Sequence, residues 1–179
     1  SKLTLPGSPA HLFRRFFDVA SAKPLTQSER EAVRSWLEPE LADVFFEQRP
    51  ADQRHGYHAA LVVVAAGSSE RDVLVAALLH DVGKRHARLG VFGRSLASLL
   101  ILVGSPLGDR MRAYRDHGLN GAGELARLGA PALAIDFAMH HHGRRPPTID
   151  PATWRLLVEA DQPPKARSRR RGRITSAVR

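Results

Sequence analysis

The sequence contains no cysteine, which excludes disulfide bonds and thiolate metal ligands. Any metal must then be bound by imidazole and carboxylate groups, a ligand set that suits Fe, Mn and similar divalent cations. No apolar stretch approaches the roughly 20 residues that a membrane-spanning helix needs. The first residues, SKLTLPGSP, lack the basic and then apolar pattern of a secretory signal. We therefore expect a cytoplasmic protein without a membrane span.

Acidic residues are missing from residues 163–179, PPKARSRRRGRITSAVR, which hold seven of the 27 Lys and Arg residues. The formal charge of +9 is therefore concentrated in this tail, because the rest of the chain has 20 basic and 18 acidic residues. We predict a disordered basic tail. It either neutralises the phosphates of a nucleic acid or is a solvated end without a partner, and the sequence leaves both readings open.

The composition is that of a soluble globular protein, with 43% hydrophobic and 25% charged residues. A chain of 179 residues is long enough for one domain with a sizeable core. We predict an all-α, single-domain helical bundle. Its parts are N-terminal helices over residues 1–52 that pack on the core, a helical metal-binding domain over 53–162 and the basic tail over 163–179.

Apolar spacing and capping signals predict the individual helices. Thr26 and Glu29 form a capping-box signature for one of them. The segment 53–66 is rich in valine and could be a buried strand, but no partner strand with an alternating pattern occurs, so we predict a helix. The predicted helices are LFRRFFDVA after Ser8, the capped helix through Val33, Trp36 and Leu37, a short helix through 41–46, and then 53–66, 72–80, 95–103, 111–127, 132–142 and 152–161.

The placement of the nine histidines is more informative than their number. His11 and His86 have no convergent neighbours, and we expect both at the surface. Six of the others, with two aspartates, lie at or near the polar ends of helices with an apolar face: His58, His80 with Asp81, His117, His140 to His142, and Asp161. A single histidine at a helix end more often offsets the helix dipole than binds a metal. Several of them can nevertheless gather into one site when helices pack as a bundle.

Three motifs make this pattern specific: ALLHDVGK at 77–84, DHGLNGAGELARLG at 116–129 and MHHHG at 139–143. With His58 before them and Asp161 after them, they resemble the HD-domain superfamily of metal-dependent phosphohydrolases. ALLHDVGK is similar to the HDIG form of its signature. The later histidines resemble those of the two-metal subgroup, which includes the HD-GYP and membrane-linked HD cyclic dinucleotide phosphodiesterases. No Gly-Tyr-Pro follows the last pair, so the chain departs from HD-GYP proper.

The resemblance implies two divalent transition-metal ions, Fe, Mn or similar. One would be bound by His58, His80, Asp81 and Asp161, and the other by Asp81, His117, His141 and His142. Asp81 would bridge them, because a carboxylate offers two oxygen atoms. His140 with His141 is the alternative register for the last pair. His55 is the alternative near the first position, where His58 fits better because HAALVV continues into the helix, leaving His55 near the site or at the surface.

The implied activity is hydrolysis of a nucleotide phosphate ester, by a phosphodiesterase or phosphomonoesterase, with a cyclic dinucleotide among the candidate substrates. Asp81 and Lys84 are the candidate catalytic residues; Lys84 either reaches the phosphate or water, or is a solvated helix-end lysine. The candidate substrate ligands are Arg54, Arg144 and Arg145, since guanidinium suits phosphate. Two alternatives stay open: an HD-fold di-iron oxygenase, and a nucleic-acid-binding module that acts through the basic tail.

Overall fold

The computed structural model describes residues 23–87, 89, 93, 96–97, 100–101, 104 and 106–162. Within these residues the fold is all-α, as predicted, with eight α-helices, one 3₁₀ helix and no strand. The predicted first helix with His11, most of the predicted helix 95–103 and the basic tail 163–179 lie outside the described residues. None of the described helices is both long and apolar enough to cross a bilayer.

The helices follow the chain in the order α1 (Gln27–Trp36), α2 (Pro39–Phe46), α3 (Pro50–Ala65), α4 (Arg71–Leu79), the 3₁₀ helix (Val82–Ala87), α5 (Asp109–Arg115), α6 (His117–Arg127), α7 (Ala132–His140) and α8 (Pro151–Asp161). The segment that might have been a strand is the helix α3. Helix α4 packs between α3 and α7, α8 lies against α3 and α4, and α6 packs on both α7 and the 3₁₀ helix.

Helix α1 begins at the predicted capping box. The Thr26 hydroxyl accepts the Glu29 amide, and the Glu29 carboxylate accepts the Thr26 amide at 2.7 Å. Two prolines then begin helices: Pro39 is the first residue of α2 and Pro50 the first of α3. Proline is favoured there because the first turn of a helix does not use its amide protons. The predicted boundary between residues 52 and 53 consequently falls inside α3.

The predicted single helix over 111–127 is two helices. The chain breaks at Asp116 (φ −94°, ψ 18°), which ends α5 and precedes α6. The apolar pattern continues through the break, so sequence periodicity did not reveal it. The break makes His117 the first residue of α6, and Tyr114 near the end of α5 lies one turn before it.

One hydrophobic core joins α1 to α4 with α6, α7 and α8. Its largest fully buried side chains include Phe45 of α2, Phe137 of α7 and Leu157 of α8. Within the described residues, the N-terminal helices therefore share one core with the later helices. His80 belongs to the same set of fully buried side chains.

Glycines allow the helices that carry the candidate ligands to approach closely. A Cβ atom on Gly83 would overlap the His117 carbonyl oxygen and would lie 2.7 Å from the Gly121 amide nitrogen. A Cβ atom on Gly56 would lie 2.6 Å from the carbonyl oxygen of Leu78. Because real Cβ contacts are not that short, residues with side chains at these places would separate the helices.

Candidate metal centre

Two neighbouring groups of side chains converge where the ends of the helices meet. Each group offers ligand atoms that all lie within 4.8 Å of one another. We call them the inner group and the outer group. The inner group is Asp81, His117, His141 and His142, and the outer group is His55, His80 and Asp161.

Asp81 lies between the two groups and directs one carboxylate oxygen to each. Its Oδ1 is 3.4 Å from Nε2 of His117 and 3.4 Å from Nε2 of His141. Its Oδ2 is 3.6 Å from Nε2 of His80 and 3.7 Å from Nε2 of His55. A carboxylate in this position can bind one cation through each oxygen.

The buried imidazoles are oriented by backbone carbonyl groups. Each donates its Nδ1 proton to the carbonyl oxygen three residues earlier. The pairs are His80 with Ala77 at 2.9 Å, His117 with Tyr114 at 2.7 Å and His141 with Ala138 at 2.9 Å. In a neutral imidazole this bond leaves the lone pair on Nε2, the atom that faces Asp81 or Asp161. Such a bond to the second ring nitrogen is the usual way in which metal-binding histidines are fixed.

Helix ends supply these carbonyl groups. His80 follows the last residue of α4, His141 follows the last residue of α7, and His117 lies just beyond α5. The last four carbonyl groups of an α-helix have no partner within the helix. A histidine at or just past the end can therefore use one of them without competing with a helical hydrogen bond. This explains why His80 and His141 directly follow the apolar helices α4 and α7.

Three buried atoms of the inner group have no hydrogen-bond partner in the described part of the chain: Asp81 Oδ1, His117 Nε2 and His141 Nε2. Buried polar atoms of native proteins are nearly always paired. All three are electron-pair donors when the imidazoles are neutral, so they cannot satisfy one another, whereas a cation among them satisfies all three. Atoms about 2.1 Å from a shared cation are separated by roughly 3.0 to 3.4 Å. The residues therefore fit a divalent metal.

The outer group is compact as well. Asp161, the last residue of α8, places Oδ1 3.0 Å from Nε2 of His55 and 3.0 Å from Nε2 of His80. Burial would raise the pKa of Asp161, but its contacts with His55 and His80 outweigh burial and hold the pKa well below its usual range. The carboxylate is thus ionised and available to a cation at neutral pH.

Lys84 adds a positive charge to Asp81. Its Nζ contacts Asp81 Oδ2, and its side chain is only 14% exposed. Burial would raise the pKa of Asp81, but the ammonium group of Lys84, and after it the neighbouring His80, outweigh burial and hold the pKa well below its usual range. Burial in turn would lower the pKa of Lys84, and Asp81 outweighs burial and raises it. Both groups are therefore charged at neutral pH.

His142 is the exposed member of the inner group. Its ring centroid is 3.9 Å from that of His141 and 5.1 Å from that of His117. Partial burial of the ring, followed by the neighbouring His141 and His117, lowers the pKa of His142 to about 4. The neutral form, which binds metals, therefore predominates at neutral pH. The structure brings together His141 and His142, the register chosen from the sequence, while His140 lies outside both groups.

The structure places His55, and not His58, beside His80 and Asp161. The buried face of α3 is marked by Gly56, Ala59, Ala60 and Val63. At about 100° per residue, His58 lies roughly 160° from Gly56 around the helix, whereas His55 lies about 100° away, at the edge of that face. His58 is accordingly exposed. The sequence choice of His58 is corrected here, and a helical wheel centred on the small residues would have found His55.

The predicted substrate arginines either have partners within the chain or are exposed. Arg54 donates to the Glu29 carboxylate at 2.6 Å and to the carbonyl oxygen atoms of Lys23 and Pro24. It thus ties α3 to the start of α1, and all three of its side-chain nitrogen atoms are engaged within the chain. Arg145 donates to the carbonyl oxygen atoms of its own loop, at Pro146 and Ile149, and Arg144 is exposed.

The remaining histidine prediction concerns His86. Its side chain is 40% exposed, in agreement with a surface position, although Nε2 lies 2.9 Å from the Glu124 carboxylate of α6. The neighbouring Arg85 pairs with Glu124 and with Glu47, the residue that follows α2. These contacts hold the 3₁₀ helix, which follows Asp81 and contains Lys84, against the bundle.

No protein-family model, no curated protein and no solved structure matches this chain.

Proposed function

We propose that this chain is a metal-dependent phosphohydrolase of the HD type that cleaves a phosphate ester of a nucleotide. The observation that carries the proposal is the position of Asp81, with Oδ1 facing two imidazoles at 3.4 Å and Oδ2 facing two others at 3.6 and 3.7 Å. The order His55, His80-Asp81, His117, His141-His142, Asp161 supports it, because it resembles the ligand order of the two-metal HD proteins.

When bound, two divalent cations would lower the pKa of a shared water molecule and stabilise charge on a phosphoryl oxygen. The residues of the chain supply the rest. Asp81 and Asp161 remain ionised, so the site has negative charge to balance the cations. The carbonyl groups at the ends of α4, α5 and α7 hold the buried imidazoles in one orientation. No serine or cysteine nucleophile is needed, since water is the attacking group.

The decisive experiment measures metal content and hydrolysis on the same preparation. Purified full chain is analysed for metal per chain, treated with a chelator, and reloaded with Mn²⁺ or Fe²⁺. Hydrolysis is then followed on bis-p-nitrophenyl phosphate, p-nitrophenyl phosphate, nucleoside monophosphates and cyclic dinucleotides. We expect activity to disappear with the chelator and to return with metal.

Asp81→Asn keeps the shape of the side chain and removes its charge, so we expect at least about a 100-fold loss of activity together with a loss of bound metal. Asp43→Asn is the matched control, because Asp43 is an exposed aspartate of α2 outside both groups. A chain that carries two metals and hydrolyses none of these substrates would contradict the proposal. Oxygen uptake by the iron-loaded chain would then favour the oxygenase alternative.

A further inference from the structure

The two oxygen atoms of Asp81 have different surroundings. Oδ1 is buried, faces His117 and His141, and has no hydrogen-bond partner among the described residues. Oδ2 faces His55 and His80 but also contacts the ammonium group of Lys84. Oδ1 is therefore available to a metal cation, whereas Oδ2 already contacts the ammonium cation of Lys84.

Lys84 is held in this position by the chain around it. Its backbone amide donates to the carbonyl oxygen of Asp81 at 2.9 Å, so the two residues belong to one tight turn. Gly83 lies against α6, and Arg85 pairs with Glu47 and Glu124. A largely buried ammonium group that left Asp81 would lose the carboxylate that offsets its desolvation. The contact is therefore costly to break.

We propose that Lys84 competes with the metal of the outer group for Asp81 Oδ2, so that the two metal positions differ in affinity. The inner position fills first, because Asp81 Oδ1 is not engaged by another cation. The outer position, formed by His55, His80 and Asp161, fills at higher metal concentration, because its metal must displace the ammonium group and is repelled by it. This inference rests on the proposed two-metal function. It adds that Lys84 controls the metal concentration at which the second position is filled.

A different role for Lys84 makes a different prediction. If Lys84 only bound the phosphate of the substrate, its removal would weaken substrate binding and leave metal affinity unchanged. If it competes for Oδ2, its removal strengthens binding at the outer position even when no substrate is present. Metal titration without substrate therefore separates the two roles.

The test is calorimetric titration of the chelator-treated full chain with Mn²⁺, repeated with Co²⁺ and followed by its visible absorption. For the wild type we expect two separate binding steps. Lys84→Met, which has a similar length and no charge, should tighten the weaker step by about tenfold or more and change the stronger step little. Lys23→Met is the matched control because Lys23 is an exposed lysine outside the centre, and it should titrate like the wild type.

Two further variants keep the test decisive. His55→Ala should remove the weaker step and retain the stronger one, which assigns the weaker step to the outer group. Lys84→Arg keeps the charge and should keep the difference in affinity. If Lys84→Met is too unstable for titration, its melting temperature should rise more on addition of Mn²⁺ than that of the wild type, because a second cation then replaces the lost ammonium group.

Two equal binding steps in the wild type would overturn the inference, as would a weaker step that is unchanged or weakened in Lys84→Met. Binding of a single metal per chain would also overturn it. Metal titration and thermal melting do not need turnover, so their outcome is independent of the proposed activity. If the chain binds two metals with unequal affinity but hydrolyses nothing, the phosphohydrolase proposal fails and this inference stands. If the chain is an active hydrolase but binds its two metals with equal affinity, the proposal stands and this inference fails.

Discussion

Gly118 of α6 lies against the carbonyl oxygen of Ala138 in α7, so closely that a Cβ atom on residue 118 would be 2.8 Å from that oxygen. The same oxygen accepts the Nδ1 proton of His141 at 2.9 Å. The approach of α6 to α7 therefore determines where the carbonyl group lies, and the carbonyl group determines how the His141 imidazole is turned towards Asp81.

We expect Gly118→Ala to disturb the inner group without removing a ligand. The added methyl group must push the carbonyl oxygen of Ala138 away, which moves the acceptor of His141. Metal affinity measured by calorimetry should fall about 10- to 100-fold, the range found when the partner of a metal-binding histidine is lost. The free energy of unfolding in urea should also fall.

Gly123→Ala is the matched control for this substitution. Gly123 is also in α6, and nothing lies within 4 Å of a Cβ atom placed there. Replacing a helical glycine by alanine should raise the free energy of unfolding by roughly 0.5 to 1 kcal/mol and leave metal binding unchanged. Equal metal affinities in the two variants would show that the contact at Gly118 does not position His141.

His55→Ala and His58→Ala provide a second matched pair. Both replace a histidine of α3, and only His55 lies beside His80 and Asp161. We expect His55→Ala to lose metal from the outer group and to reduce hydrolysis by at least about tenfold. His58→Ala should keep the metal content and activity of the wild type within about twofold, because His58 is exposed. The reverse result would restore the choice made from the sequence.

The ion pair between Glu29 and Arg54 should contribute to the pH dependence of stability. A hydrogen bond from Arg54, followed by one from the Thr26 amide, lowers the pKa of Glu29 from 4.5 to about 2. Because the folded state binds this proton less tightly than the unfolded state, the stabilisation is complete above about pH 4.5 and is lost as the pH falls towards 2. The difference in unfolding free energy between the wild type and Glu29→Gln should therefore shrink between about pH 6 and about pH 3.

Urea unfolding at both pH values measures this difference. Glu31→Gln is the control, since Glu31 is also in α1 and its carboxylate accepts from Gln27 instead of from an arginine. If the unfolding free energies of Glu29→Gln and Glu31→Gln depend on pH in the same way, the contact with Arg54 makes no measurable contribution to stability. The pH-dependent difference in unfolding free energy should be small, because the Glu29 side chain is 22% exposed and solvent screens its ion pair with Arg54.

The sequence was sufficient for the helical class, and it named most of the residues that the structure brings together in the two groups. The capping box at Thr26 is a local signal, because both of its hydrogen bonds join residues three apart. His80, Asp81, His117 and Asp161 could be found because each follows or interrupts an apolar helix in a recognisable order. Where a feature depends on nearby residues alone, the pattern of the sequence predicts it well.

Features that depend on contacts between distant helices were missed. The choice between His55 and His58 depends on which face of α3 is buried, and α3 has apolar residues on both sides, with Leu61 and Val64 exposed. The break at Asp116 leaves the apolar pattern intact, and the closeness of Gly83 to His117 exists only after α6 has packed. These are consequences of packing, which a periodic pattern does not encode.

The acceptors that orient His80, His117 and His141 are main-chain atoms at Ala77, Tyr114 and Ala138. Truncating a neighbouring side chain cannot delete them, so a scan to alanine should disturb an imidazole only where a glycine such as Gly118 gains a methyl group against one of these carbonyl groups. What the site does require is that each helix ends at the right residue. An insertion or deletion of one residue within α4 or α7 would turn the last carbonyl groups by about 100° and misdirect the ligand that follows. Apart from the closely packed glycines, the centre should therefore tolerate changes of side chain behind its histidines better than changes of helix length.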